Sequence, residues 1–557
     1  MAVTMIADNP NRTGRAGVLF LARLLMWGCC LLLLAPIAAL VLTAMGDGQG
    51  LMAHLMETVL LRYFTNTIGL MLGVGVLAFI FGVSTAWIVS RYAFPGRRLL
   101  DWMLVLPAAV PAYIIAYTYT DFLEYAGPVQ SFLRNMMGWQ TSRDYWFPEI
   151  RSMGGAMLVM ASVLYPYVYI TARTAFRITS SRLYEAAILS GQNIFINVAL
   201  PLSRPAIVAG LALVLMEVIS DFGTVDYFAV ETLTLGIFNV WLGMNSITTS
   251  AQIALMAFVL IITVLGVELH AQSRNGGESN IRGQMGVPVI KARGMMRLLL
   301  PLGCSIPVLL GFAVPVAVLG SFVVEDLSLI RAPDLGQTLF NTLLVALVSS
   351  VIIMVVAGFL AIMARWRIGQ AGRLIAGLAA TGYAFPGTIL AIGVLAVAGG
   401  FDQAITRLVG NSGGVLIGSL AILIFAYIVR FQAVGYGTIR SGIRRLPPNV
   451  MPASQVMGHG FGSSVSQVAL PLLRPSFLAG LLIAFVDIMK ELPMTLLLRP
   501  FNFETLATMT YQYAKEEMLE VAALPALIIV LAGLIPVSIV NRSLGRQLRR
   551  RKAGGDG

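Results

Sequence analysis

The chain is poor in charge. Asp, Glu, Lys and Arg make up 11% of its 557 residues, against about a quarter of an ordinary soluble domain. That scarcity excludes a disordered chain and a soluble enzyme. Cysteine is nearly absent: Cys29, Cys30 and Cys304 all lie in apolar runs, and a disulfide framework or zinc site needs more ligands at defined spacing. His54, His270 and His459 adjoin no other candidate ligand, which argues against a histidine metal site. The spans carry no paired carboxylates at metal-ligand spacing and no nucleophile–base arrangement, so a membrane-embedded enzyme is disfavoured. Lysine occurs only as Lys291, Lys490, Lys515 and Lys552, and none follows a glycine. A phosphate-binding loop ends in Gly-Lys-Ser/Thr, so this sequence holds no such loop.

What is present is hydrophobic residue, at 58%, with a mean hydropathy of +0.83. Twelve helices of about 20 apolar residues fit with room for loops. The first apolar run, 17–43, exceeds the core of a signal peptide (about 7–15 residues) and is long enough to span a bilayer. Further runs lie near 67–90, 99–120, 155–172, 205–220, 249–267, 298–321, 340–364, 374–399, 415–429, 476–489 and 521–541. The fifth and eleventh are short and carry acids. With both termini and the even-numbered connections placed in the cytoplasm, 29 of the 38 Lys+Arg face inward and 20 of the 26 Asp+Glu face outward. Omitting one span would destroy that asymmetry, which is the positive-inside pattern. The net charge of +12 is therefore an orientation signal, and nucleic acid is not among the expected partners. Arg12, Arg15 and Arg23 keep the N-terminus inside.

The chain repeats itself. Val198-Ala199-Leu200-Pro201-Leu202-Ser203-Arg204-Pro205 returns as Val468-Ala469-Leu470-Pro471-Leu472-Leu473-Arg474-Pro475, and Glu217 and Asp221 meet Asp487 and Glu491 at the same offset of 270. Asn66-Thr67 returns as Asn341-Thr342, and Glu231-Thr232-Leu233 as Glu504-Thr505-Leu506. The expected fold is an all-α polytopic membrane protein of about 12 transmembrane helices, built as two parallel-topology six-helix repeats with N- and C-termini cytoplasmic. Parallel repeats are related by an axis along the membrane normal. The expected divisions are a tail and first helix (1–60), a first repeat core (61–268), a cytoplasmic linker (269–297), the first helix of the second half (298–336), a second repeat core (337–541) and a basic tail (542–557).

The fourth connection of each half is informative. Ser180-Ser181 offers a helix cap, Glu185, Ala186 and Ala187 fill two to three turns, and Gly191 stops them in the left-handed region. Pro201 and Pro205 are expected to break the chain again before the next span. A short capped helix in a cytoplasmic loop suits docking into a groove on another protein. The charge of Glu185 and the small Ala186 and Ala187 let a partner approach.

Glu185-Ala186-Ala187, Gly191 and the later Leu200-Pro201 resemble the cytoplasmic loop of permease subunits of ATP-binding-cassette importers. In the second half Ala453, Gly458 and Leu470-Pro471 match, while Pro452 and Ser454 depart from the Glu-Ala-Ala element. Nine residues separate Gly191 from Pro201, and twelve separate Gly458 from Pro471. Asp221 to Phe228 with Thr232 to Ile237, and Lys490 to Leu506, resemble fused ferric-iron permeases. The resemblance implies that Glu185, Ala186, Ala187, Gly191, Ala453 and Gly458 couple to two copies of a separate ATPase. It implies that ATP and Mg sit on that partner, with no cofactor on this chain, and that a periplasmic or lipid-anchored binding protein delivers the substrate in the inner membrane. Ferric iron leads, with thiamine or another small solute as alternative. A six-plus-six secondary transporter is the rival class.

Acids in or beside spans are expensive and are functional candidates. Glu217, Asp221 and Asp226 after the fifth span, and Asp487, Lys490 and Glu491 after the eleventh, are candidate pathway or binding-protein contacts. Ferric iron is a hard cation that favours oxygen, which Tyr113, Tyr117 and Tyr119 could also supply. The same acids could instead form structural ion pairs.

Overall fold

The computed structural model describes residues 11–273, 287–326, 333–367, 370–379, 382, 385–410 and 415–553. The described residues are 81% helical. Among the described residues eleven helices are long and apolar enough to cross a membrane, or twelve with one broken pair. They run Phe20–Ala44, Leu60–Arg91, Met153–Ile178, Phe195–Ser220, Ile247–Glu268, Met296–Glu325, Asp334–Trp366, Gly387–Leu408, Leu420–Arg445, Phe461–Met489 and Leu519–Ile539. The broken pair is the third span, Arg97–Ala109 with Ala112–Met137, bent by 96°. The bend falls at Val110-Pro111, where Pro111 takes an extended conformation before the second piece. A proline pushes its predecessor out of the helical region.

Two expectations need correcting. The fifth and eleventh spans are not short: they cover 26 and 29 residues. Their prolines do not break the chain. A π-helical segment, Phe195–Ala199, leads straight into Leu200–Ser220, with Pro201 in its first turn and Pro205 inside. The second half repeats this with Val465–Ala469 and Leu470–Met489. The seventh span does the same, Leu309–Ala313 preceding Pro315. In each case the wide turn ends two residues before the proline, which lets the ring fit without a kink. The last helix continues past its span, which ends at Ile539, as far as Ala553.

The linker lies partly outside the described residues. Its described end is fastened: Ile290-Lys291 pairs in parallel with Tyr92-Ala93, and Arg91 donates to the Pro288 carbonyl.

The chain divides into two compact units, and neither is a contiguous half. One comprises Met1–Leu42, Leu344–Ala384 and Leu390–Ile488; the other comprises Thr43–Leu343, Phe385–Ile389 and Met489–Gly557. In the first, the opening span packs on the ninth, with Gly393 so close to the Pro36 carbonyl that a β-carbon would overlap it. In the second, the seventh span packs on the fourth, with Gly311 equally close to the Ser162 carbonyl.

The repeated motifs find each other within the second unit. Asn66 donates to the Glu231 carbonyl at 3.0 Å, and the Leu233 N–H donates to the Thr67 hydroxyl at 3.0 Å. Asn341 donates to the Glu504 carbonyl at 3.2 Å, and the Leu506 N–H to Thr342 at 2.8 Å. Each Asn-Thr pair thus ties the start of one span to a Glu-Thr-Leu turn about 165 residues later, at roughly 1 kcal/mol per neutral hydrogen bond.

Candidate functional site

The loop helix of the first half spans Ser181–Leu189, and that of the second spans Val450–Val456. Ser180 takes the expected N-cap position but makes no capping hydrogen bond. Both helices end at a glycine with positive φ, +68° at Gly191 and +90° at Gly458. Nothing lies within 4 Å of a β-carbon built on either, so each glycine is there for its backbone angle. Behind them the Gln192 N–H reaches the Ala187 carbonyl at 2.9 Å, and the His459 N–H reaches Ser454 at 3.2 Å. This is the six-to-one closure of a helix end.

The two helices bury matching positions. Tyr184 and Ala187 face the protein, as do Met451 and Ser454 at an offset of 267. Glu185, Ala186, Pro452 and Ala453 are exposed, and the apolar tips Leu189 and Val456 are 89% and 88% exposed. Ala187 is buried and helps seat the helix on its own protein. The exposed strip is Leu183, Glu185, Ala186, Ile188 and Leu189. In the second half Ser454 donates to Ser464 at 2.9 Å, which ties the loop helix to the next one.

At the opposite end of the fifth span, Asp221 lies one residue before Phe222, the N-cap of the short helix Gly223–Tyr227, and its carboxylate reaches into the first turn. It accepts from the Thr224 N–H at 2.9 Å and the Thr224 hydroxyl at 3.1 Å. Glu491 does the same for Pro493–Leu498, accepting from Met494 N–H at 3.1 Å, Thr495 N–H at 3.0 Å and the Thr495 hydroxyl at 2.8 Å. The two repeat-related acids, each one residue before its N-cap, thus satisfy first-turn N–H groups that the N-cap residues leave open. Burial pushes the Asp221 carboxyl up to about 6 despite the Thr224 hydrogen bonds, and the charge of Glu217 adds to the rise.

The caps meet at one tyrosine. A β-carbon on Gly223 would strike the Tyr113 side chain on one side and Leu492 on the other. The Tyr113 and Tyr117 hydroxyls are buried without a hydrogen-bond partner. Tyr117 packs edge-on against Tyr227, centroids 6.5 Å apart. Tyr119 is otherwise engaged, its hydroxyl donating to the Leu310 carbonyl at 2.8 Å.

Asp226 accepts from the Tyr511 hydroxyl and, at 3.0 Å, from Lys515. Burial and the Asp226 carboxylate push the Tyr511 phenol above its ordinary value. Arg151 pairs with Glu124 at 2.7 Å and reaches Glu517 at 3.6 Å. The ties from Asp226 to Tyr511 and Lys515, and from Arg151 to Glu517, join stretches more than 280 residues apart inside one compact unit. Sequence reading misses Tyr511 and Lys515, because their contact to Asp226 does not follow the repeat offset. Glu217, Asp487 and Lys490 are half-buried, and each makes contacts of its own. Among the described residues no three His, Cys, Asp or Glu converge as metal ligands.

Sequence reading also misses Asp101. On the helix Arg97–Met103 it accepts from the Tyr169 hydroxyl at 2.6 Å, from Arg173 at 2.5 Å and from Arg177 at 3.1 Å. The available signal was an acid inside an apolar run that follows two arginines.

Known proteins match this chain along its length. The family model described as "binding-protein-dependent transport system inner membrane component" matches twice, over 78–273 and 355–550. The Fe(3+)-transport system permease protein FbpB 2 of Haemophilus influenzae is 22% identical over 86% of this chain and 89% of its own. The sulfate transport system permease protein CysT of Salmonella typhimurium is 29% identical over 40% of this chain and 79% of its own. The molybdenum transport system permease protein ModB of Escherichia coli is 28% identical over 27% of this chain and 62% of its own. The secondary-transporter alternative is thereby set aside. Two family matches, on two loops that fold alike, make this chain a multi-pass inner-membrane permease of the binding-protein-dependent ABC importer family, with both permease halves in one polypeptide.

Proposed function

We propose that the chain forms the membrane path of a ferric-iron importer, powered by two copies of a separate cytoplasmic ATPase. The loop helices Ser181–Leu189 and Val450–Val456 dock one ATPase each, through Glu185, Ala186 and Ala453, with Gly191 and Gly458 setting the helix ends. ATP and Mg are held by that partner. A binding protein delivers the solute to the other face, where Asp221, Asp226, Asp487, Lys490 and Glu491 lie beside spans. ATPase closure then drives alternating access.

The observation that carries iron is the match to a Fe(3+) permease across both halves of this chain, at 86% coverage. The sulfate and molybdenum relatives match shorter stretches. An outward excess of carboxylates also suits a cationic cargo better than an oxyanion. The test is uptake of radioactive ferric iron, sulfate and molybdate by a deletion strain with and without the gene. Iron uptake restored by the gene is expected; restoration of sulfate or molybdate uptake instead would overturn the substrate. For the coupling role, Glu185→Arg and Gly458→Val should each leave ATP hydrolysis uncoupled from uptake. Normal uptake in both variants would remove these loops from the mechanism.

A further inference from the structure

The span before each loop helix recurs without a gap. Met153–Ile178 and Leu420–Arg445 have equal length, and the offset of 267 holds through Gly191 and Gly458. On it Tyr169, Arg173 and Arg177 return as Tyr436, Arg440 and Arg444. In the first half these three side chains all grip one carboxylate, Asp101. Arg173 is nearly fully buried in that grip, with 4% of its side chain exposed. Asp101 sits on the helix Arg97–Met103, which Arg97 in turn fastens to the Val89 carbonyl at 2.7 Å. Arg177 lies four residues before Ser181, so the grip closes on the root of the loop helix.

The second half keeps the donors and lacks the acid. The offset of 275 that relates Asn66-Thr67 to Asn341-Thr342 also relates Pro111 to Pro386, and it carries Asp101 to Ala376. Ala376 is buried on Gln370–Ala379. No Asp or Glu occurs between 335 and 401, or between 403 and 486. Among the described residues neither Arg440 nor Arg444 has an acidic partner, and both are exposed. The loop helix shows the same loss, Glu185 being replaced by Pro452.

We infer that Asp101 is a positioning residue that clamps the first-half loop helix to the permease body, so that the two loops are unequal arms, one stiff and one slack. This rests on the proposed docking of the loops to an ATPase. A stiff arm turns a partner's motion into helix motion with little lost at the root, whereas a slack one gives locally first. The first-half loop then carries most of the power stroke.

The clamp is tested on the full chain in lipid nanodiscs, with Cys29, Cys30 and Cys304 replaced by Ala and a spin label on a cysteine at Leu189 or at Val456. The label at 189 should tumble several-fold more slowly than the label at 456. Asp101→Asn should speed the 189 label at least threefold, Asp101→Glu should restore it, and Ala376→Asp should slow the 456 label. The last is a gain of order that a merely destabilising change does not produce. Should Asp101→Asn fail to fold, Arg177→Gln, which leaves the buried Arg173 pair, takes its place. Unchanged mobility at 189 in whichever variant folds, or at 456 in Ala376→Asp, would overturn the inference. In the complex with the ATPase, Asp101→Asn should lower kcat for ATP at least threefold with KM unchanged; an unchanged kcat would overturn the power-stroke role. The mobility measurement needs no ATPase. Failure of the wild-type chain to co-purify with one would therefore strike the docking reading alone.

Discussion

The side chains singled out as acids beside spans turn out to be shared between architecture and candidate chemistry. Asp221 and Glu491 hold backbone N–H groups at the start of short helices, a task a carboxylate does well at a helix N-terminus. Asp221 does so with its proton held more tightly than an ordinary carboxyl holds it, up to about 6. A group with a raised folded-state value adds stability below its ordinary titration range and loses it as pH rises through the folded value. Thermal unfolding should therefore show a midpoint that falls as pH rises from about 4 to about 6. Asp221→Asn keeps the cap acceptor and should flatten that slope; an unaltered slope would place the titration elsewhere. The caps were legible as repeated acids at an offset of 270, but their purpose was not. A sequence shows that a charge is retained near a span, while the N–H groups it serves depend on a turn that only folding creates. The same limit hid the Asp226, Tyr511 and Lys515 cluster. Asp226 was selected by its position, and its partners lie 285 and 289 residues away.

At the level of helices, hydropathy found every span and misjudged their ends. It measures composition, and a π turn has the composition of an α turn. Prolines 201 and 205 therefore read as breaks, although the helix runs through both after the widened turn at Phe195–Ala199. The bend of the third span was equally hidden, because both of its pieces are apolar. The seventh span shows what such a turn costs. A π turn pairs each carbonyl with the N–H five residues on, and for Leu310 that residue is Pro315, which has none. The Tyr119 hydroxyl supplies the missing donor. Tyr119→Phe should destabilise the protein by about 1–3 kcal/mol, the cost of an unsatisfied buried acceptor. In Pro315→Ala, where an N–H becomes available, the same change should cost about half as much or less. Equal costs in a double-mutant cycle read by denaturant unfolding would remove the link. The close seats of Gly393 and Gly311 make a parallel prediction. Gly393→Val should lower the yield of folded protein by displacing the first span from the ninth, while Gly462→Val, with open space around it, should not.

For the molecule as a whole, the positive-inside count predicts that the two loop helices face the cytoplasm, and this is directly measurable. Single cysteines at Leu189 and Val456 should react with an impermeant thiol reagent only from the cytoplasmic side. Cysteines at Trp146 and Phe501, 85% and 99% exposed, should react only from the other side. Labelling of 189 from outside would invert the topology. The repeat is plain in the sequence, whereas the make-up of the two compact units, each built from non-consecutive stretches, is not. The first span completes at about Leu42, while the remaining parts of its compact unit begin at Leu344 and end at Ile488. The intervening stretch is roughly 300 residues, which a ribosome adding about 5–20 residues per second needs on the order of 15–60 s to make. During that interval the first span sits in the bilayer with the face that Gly393 will cover turned to lipid. Assembly of this unit is thus paced by synthesis, and a gene cut at the linker would hand the wait to two separate polypeptides that must meet by diffusion.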